Sequence, residues 1–346
     1  MTNEQQQKQK HILLLSLLIG FALRIFQLDR QSLWFDDIIT VHLARMPIIA
    51  GLDGLIGQGI QLTPLFHWMV KAWMILGDSE WVLRFLPVCI SLMTIPLMFH
   101  LGRAYGSSSV GLLAAVIFAI NPYQIWYAHE LRIYSLLTFA AVGAMLTFQR
   151  MLKGAGAANT IAFIIFNALG FASHHFMFLL PTIQFIFFLR YFRRYYAHFR
   201  KWMLINIISG SVLLPWFGYI FYRGQFNFGI GWIPKPTLLD LPYTIWNFTL
   251  GYREDPPLLL TGAFTLILAI LIWGFFSVRS LRPYHFLLRI WLIFPLIIVW
   301  LFSQGGSSSF YVDRYFLVVA PVVTLLIAFG IQSLPSPWLK TSVAGL

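Results

Sequence analysis

The sequence predicts an all-α integral membrane protein with about ten transmembrane helices and a long first outer loop that carries interfacial helices. The first observation behind this is composition: 59% of the 346 residues are hydrophobic and 10% are charged. Soluble domains carry about 25% charged residues, and a soluble fold of this length could not cover its surface with so few. Such a composition also excludes a disordered chain and argues against a nucleic-acid binder. The second observation is that apolar runs of spanning length recur along the chain. The third is that basic and acidic residues sort to opposite sides once those runs are threaded through a bilayer. Residues 1–346 therefore read as a single transmembrane domain, with no appended soluble domain and no internal repeat.

Spanning the hydrocarbon core takes about 20 mostly apolar residues. Runs that meet or approach this lie near 12–28, 82–101, 110–127, 133–149, 157–173, 176–192, 203–222, 257–277, 286–302 and 315–333. The run 62–76 is apolar but short and carries His67 and Lys71, so it reads as a membrane-dipping or interfacial helix. Lys8 and Lys10 before the first run resemble the start of a signal peptide, yet Arg24, Ile25 and Phe26 follow without a small-x-small cleavage pattern. A retained first span is the expectation.

Orientation follows from Lys and Arg in the connections. A cytoplasmic N-terminus places Lys8, Lys10, Arg103, Arg150, Lys153, Arg190, Arg193, Arg194, Arg200, Lys201, Arg279, Arg282, Arg289 and Lys340 inside. Of the 12 acidic residues only Glu4 is then inside. Asp29, Asp36, Asp37, Asp53, Asp78, Glu80, Glu130, Asp240, Glu254, Asp255 and Asp313 fall outside or at outer span ends. Acidic residues contribute little to topology, so this bias points to chemistry on the outer face. The two long connections, 29–81 and 223–256, are also outer, and long loops in a compact protein are usually functional. The single Cys89 rules out a disulfide framework and a cysteine metal site.

Four constellations meet on that face. Leu33-Trp34-Phe35-Asp36-Asp37 follows the first span; an Asp N-cap behind interfacial aromatics would explain one carboxylate but not the pair. His129-Glu130-Leu131-Arg132-Ile133-Tyr134 places an acid and a base where the chain re-enters the membrane, either as a local ion pair or as part of a site. Asp313-Arg314-Tyr315 opens the last span and reads alone as a charged interfacial anchor. Ser173-His174-His175 ends the fifth; adjacent side chains do not face one ligand point on a helix, so one site histidine fits better than a metal pair. Lys71, His67 and Arg24 are further cationic or polar candidates near the same level.

Carboxylates facing several cations in a partly apolar cleft suit one kind of reaction. An attacking hydroxyl must lose its proton, which calls for a carboxylate base. A departing phosphate gathers charge, which calls for Arg or Lys. No dinucleotide fingerprint, Walker A loop, H-E-x-x-H motif or D-x-D run accompanies them. A donor dissolved in the bilayer would make a soluble nucleotide-sugar domain unnecessary.

On these residues the chain resembles the family 39-type membrane glycosyltransferases of the C class, related to the protein O-mannosyltransferases and the bacterial aminoarabinose transferases. The resemblance begins at Leu33-Trp34-Phe35-Asp36-Asp37, where the family usually has Glu in place of Asp37. It runs through Thr63-Pro64-Leu65-Phe66-His67, Gly77 to Arg84, Leu101-Gly102-Arg103, Asn121-Pro122-Tyr123 and Glu130-Leu131-Arg132-Ile133-Tyr134. It ends at Ser173-His174-His175 and Asp313-Arg314-Tyr315-Phe316. The resemblance implies an inverting transfer of a sugar from a polyprenyl-phosphate donor to a hydroxyl of a protein, lipid or glycan, on the outer face of a bacterial or archaeal plasma membrane. It makes Asp36 the catalytic base, with Asp37 orienting it or touching the acceptor and Glu130 in the same machinery. Arg132, Arg314 and Lys71 are the candidates for the lipid phosphate, and His174, Tyr134, Asp313 and Tyr315 for the surrounding site. Some relatives use a divalent cation and others none, which leaves a metal open. Relatives often continue past the equivalent of Tyr315, so a short or incomplete C-terminus at Leu346 is a further expectation. The rival reading is a transporter or flippase of lipid-linked sugars, which should place charges at mid-span and on both sides. A scaffold with a decayed site is the third reading.

Overall fold

The computed structural model describes residues 3–58, 63–224, 231–253, 255–277, 283–305 and 309–335. Arg279, Arg282, Lys340, Glu254, the Gly306 to Ser308 stretch and the end of the chain lie outside the described residues. Among the described residues all regular structure is helical: α1 (Asn3–Ile25), α2 (Phe35–Arg45), α3 (Ile48–Gln58), α4 (Pro64–Trp73), α5 (Glu80–Tyr105), α6 (Ser108–Ile120), α7 (Pro122–His129), α8 (Tyr134–Leu152), α9 (Ala157–Phe171), α10 (Leu179–Gly210), α11 (Leu214–Arg223), α12 (Asp240–Leu250), α13 (Leu258–Ser277), α14 (Pro283–Gly305) and α15 (Ala320–Gln332). Tight turns at His175–Phe178 and Asp313–Val318 lead into α10 and α15.

The long apolar helices make this a multi-pass integral membrane protein. Five stretches among the described residues are long and apolar enough to cross a bilayer, or six if the bent pair α6 and α7 is one span. The expected ten is therefore not reached on length. α9 and α15 are apolar but shorter, and α1 opens with the polar run Asn3 to Lys10. The expected spans 176–192 and 203–222 lie in one run, His175–Arg223, interrupted by non-helical backbone at Tyr191 and Tyr195.

Capping residues set several boundaries. The Ser79 and Ser107 hydroxyls accept the amides of Val82 and Val110 and open α5 and α6. Asn121 caps α7 through the Gln124 amide, with Pro122 at the first helical position. Pro122 has no N–H to return to the carbonyl of Phe118, so the expected span 110–127 breaks there with a 53° bend. Lipid cannot satisfy the freed carbonyls. Arg24 does: its guanidinium is fully buried and donates to Phe118 O at 3.3 Å, Ala119 O at 2.8 Å, Gly20 O at 3.1 Å and Ser91 Oγ at 2.9 Å. Arg24 is thus a clamp on the break.

α8 is the centre of the bundle, packed against α5 and α9 and 89% buried over its apolar window, against 17% for α13. The contrast places α13 on the lipid-facing side. α13 meets α15 through glycines: a Cβ on Gly274 would strike the Leu326 carbonyl, and one on Gly330 the Ile270 carbonyl. Close backbone approach at small residues is how membrane helices gain packing without a hydrophobic drive.

The first long connection, 29–81, folds as α2, α3 and α4. The expected dipping helix 62–76 is α4, extended by one 3-10 turn. α3 packs on α11 through Leu55 and Ile56 against Trp216 and Ile220, and Asp53 pairs with Arg223 at 2.6 Å and accepts the Tyr219 hydroxyl. α12 lies in the second long connection, 223–256. Asn121 Nδ2 donates to Phe248 O at 2.8 Å, and this ties α12 to the α6–α7 break.

Gly274→Val should overpack the α13–α15 contact at a cost of about 1–3 kcal/mol. The check is a melting curve in detergent: a lowered Tm is expected for Gly274→Val and no change for Gly262→Val, whose position is open.

Candidate active site

The site begins with the register of α2. The chain enters it from Trp34 in extended conformation, so Asp36 and Asp37 occupy the first turn, where the helix dipole favours carboxylates. Neighbouring helix residues point about 100° apart, and the two carboxylates part accordingly. Asp37 turns inward and is 1% exposed. Its Oδ1 accepts the Leu131 amide at 3.0 Å, and its Oδ2 lies 3.7 Å from Arg84 Nη2. Asp36 turns to the rim with 24% of its side chain exposed. There its Oδ2 lies 4.0 Å from Arg132 Nη2 and 3.7 Å from Arg314 Nη1.

Arg132 sits in the short turn between α7 and α8, held down by the buried Leu131. Its Nη1 also donates to Asp36 O and to Thr40 Oγ1, each at 3.2 Å. Arg314 comes from the turn before α15, and its guanidinium carbon lies 5.6 Å from the Trp232 ring, 5.9 Å from Tyr315 and 6.0 Å from Tyr134. Trp232 belongs to the second long connection, so both long loops reach this point. Among the described residues the Nε of Arg132 and the Nε of Arg314 are buried and have no protein acceptor, as is true of Arg84 Nε. Two guanidiniums that converge on one carboxylate and still hold free donors form a place for an anion.

His174 packs against Tyr315 at 4.7 Å, and its Nδ1 accepts the Phe176 amide at 3.1 Å. Burial lowers its pKa well below the usual imidazole value, with His175, Arg132 and Arg314 adding to the effect. Burial thus disfavours the charged imidazolium beside the arginines. Burial raises the Asp37 carboxyl although Arg84 and Arg132 oppose this.

Glu130 stands apart from the arginine pair. Its Oε1 accepts the Trp126 indole N–H at 2.9 Å, and among the described residues no ion pair joins it to Arg132. The local Glu-Arg pair anticipated from the sequence is replaced by Arg132 on Asp36, because the turn sends the two side chains to different neighbours. Burial raises Glu130 to about 7; the Trp126 hydrogen bond opposes this and Asp37 reinforces it.

Two expected site residues are used elsewhere. Lys71 donates to Ala44 O at 3.0 Å and Met46 O at 2.8 Å, capping the end of α2. Asp313 accepts the Asn247 side-chain amide and the Arg314 backbone amide, each at 2.8 Å, while its own carbonyl takes the Tyr123 hydroxyl. It builds the turn that aims Arg314. The same bond occupies Asn247 of the Asn247-Phe248-Thr249 sequon. Sequence reasoning passed over Arg84 as a site residue; its signal was an arginine one turn into a long, largely apolar helix. Trp232 carried no pattern that separated it from other loop aromatics.

A divalent cation does not fit this donor set. Among the described residues no group of three or more His, Cys, Asp or Glu is placed to hold one. Asp36 faces two guanidiniums, which oppose a second cation on the same oxygen. What the arrangement offers is a carboxylate that can take a proton, beside fixed positive charge for an anion that forms.

Comparison with known proteins agrees on the fold. The sequence profile of the dolichyl-phosphate-mannose-protein mannosyltransferase family matches residues 61–219. The matched segment contains Arg84, Glu130, Arg132 and His174 but neither Asp36 nor Arg314. No curated protein sequence matches the chain. Among solved structures, ArnT from Cupriavidus metallidurans bound to undecaprenyl phosphate superposes with a TM-score of 0.70 at 14% identity, covering 95% of this chain and 61% of ArnT. The oligosaccharyltransferase AglB from Archaeoglobus fulgidus, in complex with an inhibitory peptide and a dolichol-phosphate, gives 0.61 at 13% identity, covering 99% of this chain and 54% of AglB. The chain therefore spans about three fifths or less of the length of these structures and shares their helical membrane fold.

The Glu130 titration is open to direct measurement. A protonated-carboxyl infrared band should disappear as pH rises through about 7 and be missing from Glu130→Gln. The folded pKa lies above the ordinary 4.5, so the folded state holds this proton more tightly than the unfolded state. Wild type should then lose stability relative to Glu130→Gln as pH rises from about 4.5 to about 7.

Proposed function

We propose that this protein is an inverting glycosyltransferase that moves a sugar from a polyprenyl-phosphate donor to a hydroxyl acceptor on the outer face of the membrane. The observation that carries the reading is the partly exposed Asp36 carboxylate between Arg132 and Arg314, drawn together from three distant segments. The fold shared with ArnT and AglB, solved with a polyprenyl phosphate and a dolichol-phosphate, supports it. So does the mannosyltransferase profile over residues 61–219.

In this reading the acceptor oxygen attacks the anomeric carbon on the face opposite the phosphate. Its proton passes to Asp36 as the new C–O bond forms. The bond from that carbon to the phosphate oxygen breaks, and the polyprenyl phosphate leaves with the electron pair. Arg132 and Arg314 hold the phosphate through donors that the protein leaves free. Their 3.7–4.0 Å contacts with Asp36 are long enough to be exchanged for phosphate oxygens. His174, Tyr134 and Tyr315 wall the arginines. Glu130 is assigned to the transferred sugar or the acceptor, beside Trp126. Lys71 and Asp313 act as supports for the fold of the site.

The chain is read as one catalytic domain, with 29–81 and 223–256 as active-site and acceptor elements. The N-terminus is placed in the cytoplasm of a bacterial or archaeal cell. A flippase fits less well, because Asp36, Arg132 and Arg314 gather at one rim and Arg24 is consumed by backbone carbonyls.

The test uses purified protein in vesicles with a panel of polyprenyl-phosphate pentoses and hexoses. Wild type should release free polyprenyl phosphate and glycosylate an acceptor. Asp36→Asn should insert normally and lose transfer by about 10²-fold or more. Arg132→Ala and Arg314→Ala should lower both lipid-phosphate affinity and rate. Turnover by Asp36→Asn at the wild-type rate would remove the base from the mechanism, and intact donor crossing leaflets would favour the flippase.

A further inference from the structure

Arg84 has no direct part in the chemistry just described, yet it is among the most heavily engaged side chains near the site. It lies in the first turns of α5 and is buried. Its Nη1 donates to Leu28 O at 3.0 Å and Gln31 O at 2.5 Å, and its Nη2 to Ser32 O at 3.0 Å. These three carbonyls belong to the segment that joins α1 to α2. The same Nη2 lies 3.7 Å from Asp37 Oδ2. The other oxygen of Asp37 takes the amide of Leu131, the residue between Glu130 and Arg132.

The contacts form one continuous path: the 28–32 backbone, Arg84, Asp37, then the turn that carries Arg132. Asp36 is the neighbour of Asp37 on one end of this path, and Arg132 is the neighbour of Leu131 on the other. We propose that Arg84 is a positioning residue, which works through Asp37 to set the distance between the Asp36 carboxylate and the Arg132 guanidinium. A buried carboxylate left without its cation would be costly, so the two side chains act as a unit. Arg84 cannot reach the donor itself while all three carbonyls and Asp37 hold it. This assignment rests on the proposed transferase reading for its kinetic consequence but not for its geometric one.

Two measurements on the full chain in vesicles test it. The first is geometric. Nitroxide labels at Ile38 and Ile120, both exposed, in a Cys89→Ser background report α2 against the α6–α7 corner. Arg84→Gln and Asp37→Asn should each broaden the distance distribution, Arg84→Lys should restore part of it, and an unchanged distribution in both variants would overturn the proposal. The second is kinetic, with whichever donor the wild type turns over. Arg84→Gln should lower kcat about 100-fold while polyprenyl phosphate alone binds within about threefold of wild type. The Arg84→Gln, Asp37→Asn double variant should be no slower than the slower single one, since the two residues act through one contact. Additive losses, or a loss of lipid-phosphate binding that matches the loss of rate, would overturn the positioning role. If Arg84→Gln does not fold, the isosteric Asp37→Asn, which still accepts the Leu131 amide, decides both readouts. A broadened distribution with a wild-type rate in Asp36→Asn would uphold the geometry and reject the transferase reading instead.

Discussion

A backbone carbonyl freed at the membrane rim must find a donor within the protein, because hydrocarbon supplies none. The architecture around the site follows from that constraint. Breaking the α6–α7 helix at Pro122 releases carbonyls that Arg24 collects. Turning the chain between α1 and α2 releases others that Arg84 collects. Ending α2 releases Ala44 and Met46 to Lys71, and the Val318 carbonyl takes the Trp291 indole. Each of these cations or donors lets an irregular segment sit at membrane depth, and irregular segments are where a helical bundle can aim side chains from several elements at one point.

The same constraint separates two populations of arginine that look alike in the sequence. Arg24 and Arg84 are buried and spent on backbone oxygens. Arg132 and Arg314 instead flank a carboxylate that is partly exposed, while a buried Nε without a protein acceptor among the described residues is common to them and to Arg84. Burial divides the acids in the same way. Asp37 is enclosed and supports the site, Asp36 is partly exposed, and Glu130, beside an indole, is raised to about 7.

Much of the fold was legible from apolar runs. The runs 82–101, 133–149, 257–277 and 286–302 correspond to α5, α8, α13 and α14. The run 110–127 concealed the break at Pro122, because hydropathy averages over a proline that only backbone geometry registers. The runs 176–192 and 203–222 belong to one bent stretch, since polar residues such as Arg193 and Arg194 do not by themselves stop a helix. Within the site, the acidic pair and the two arginines stood out because charge is rare in this chain. Lys71 stood out for the same reason and was assigned to phosphate, although a lysine near a helix end is equally suited to its carbonyls.

The sequence by itself determined the solvent of this protein, the helical class, and a short set of ionisable residues expected on one face. Those follow from composition and spacing, which act locally and survive without a three-dimensional context. Tertiary structure alone decided which of two adjacent aspartates is partly exposed, which arginines are spent on backbone carbonyls, and that Arg132 turns to Asp36 and away from Glu130. Those outcomes depend on which carbonyls the folded backbone leaves unsatisfied and which cations lie within reach, and residues 24, 84, 132 and 314 carry the same side chain until the fold places them.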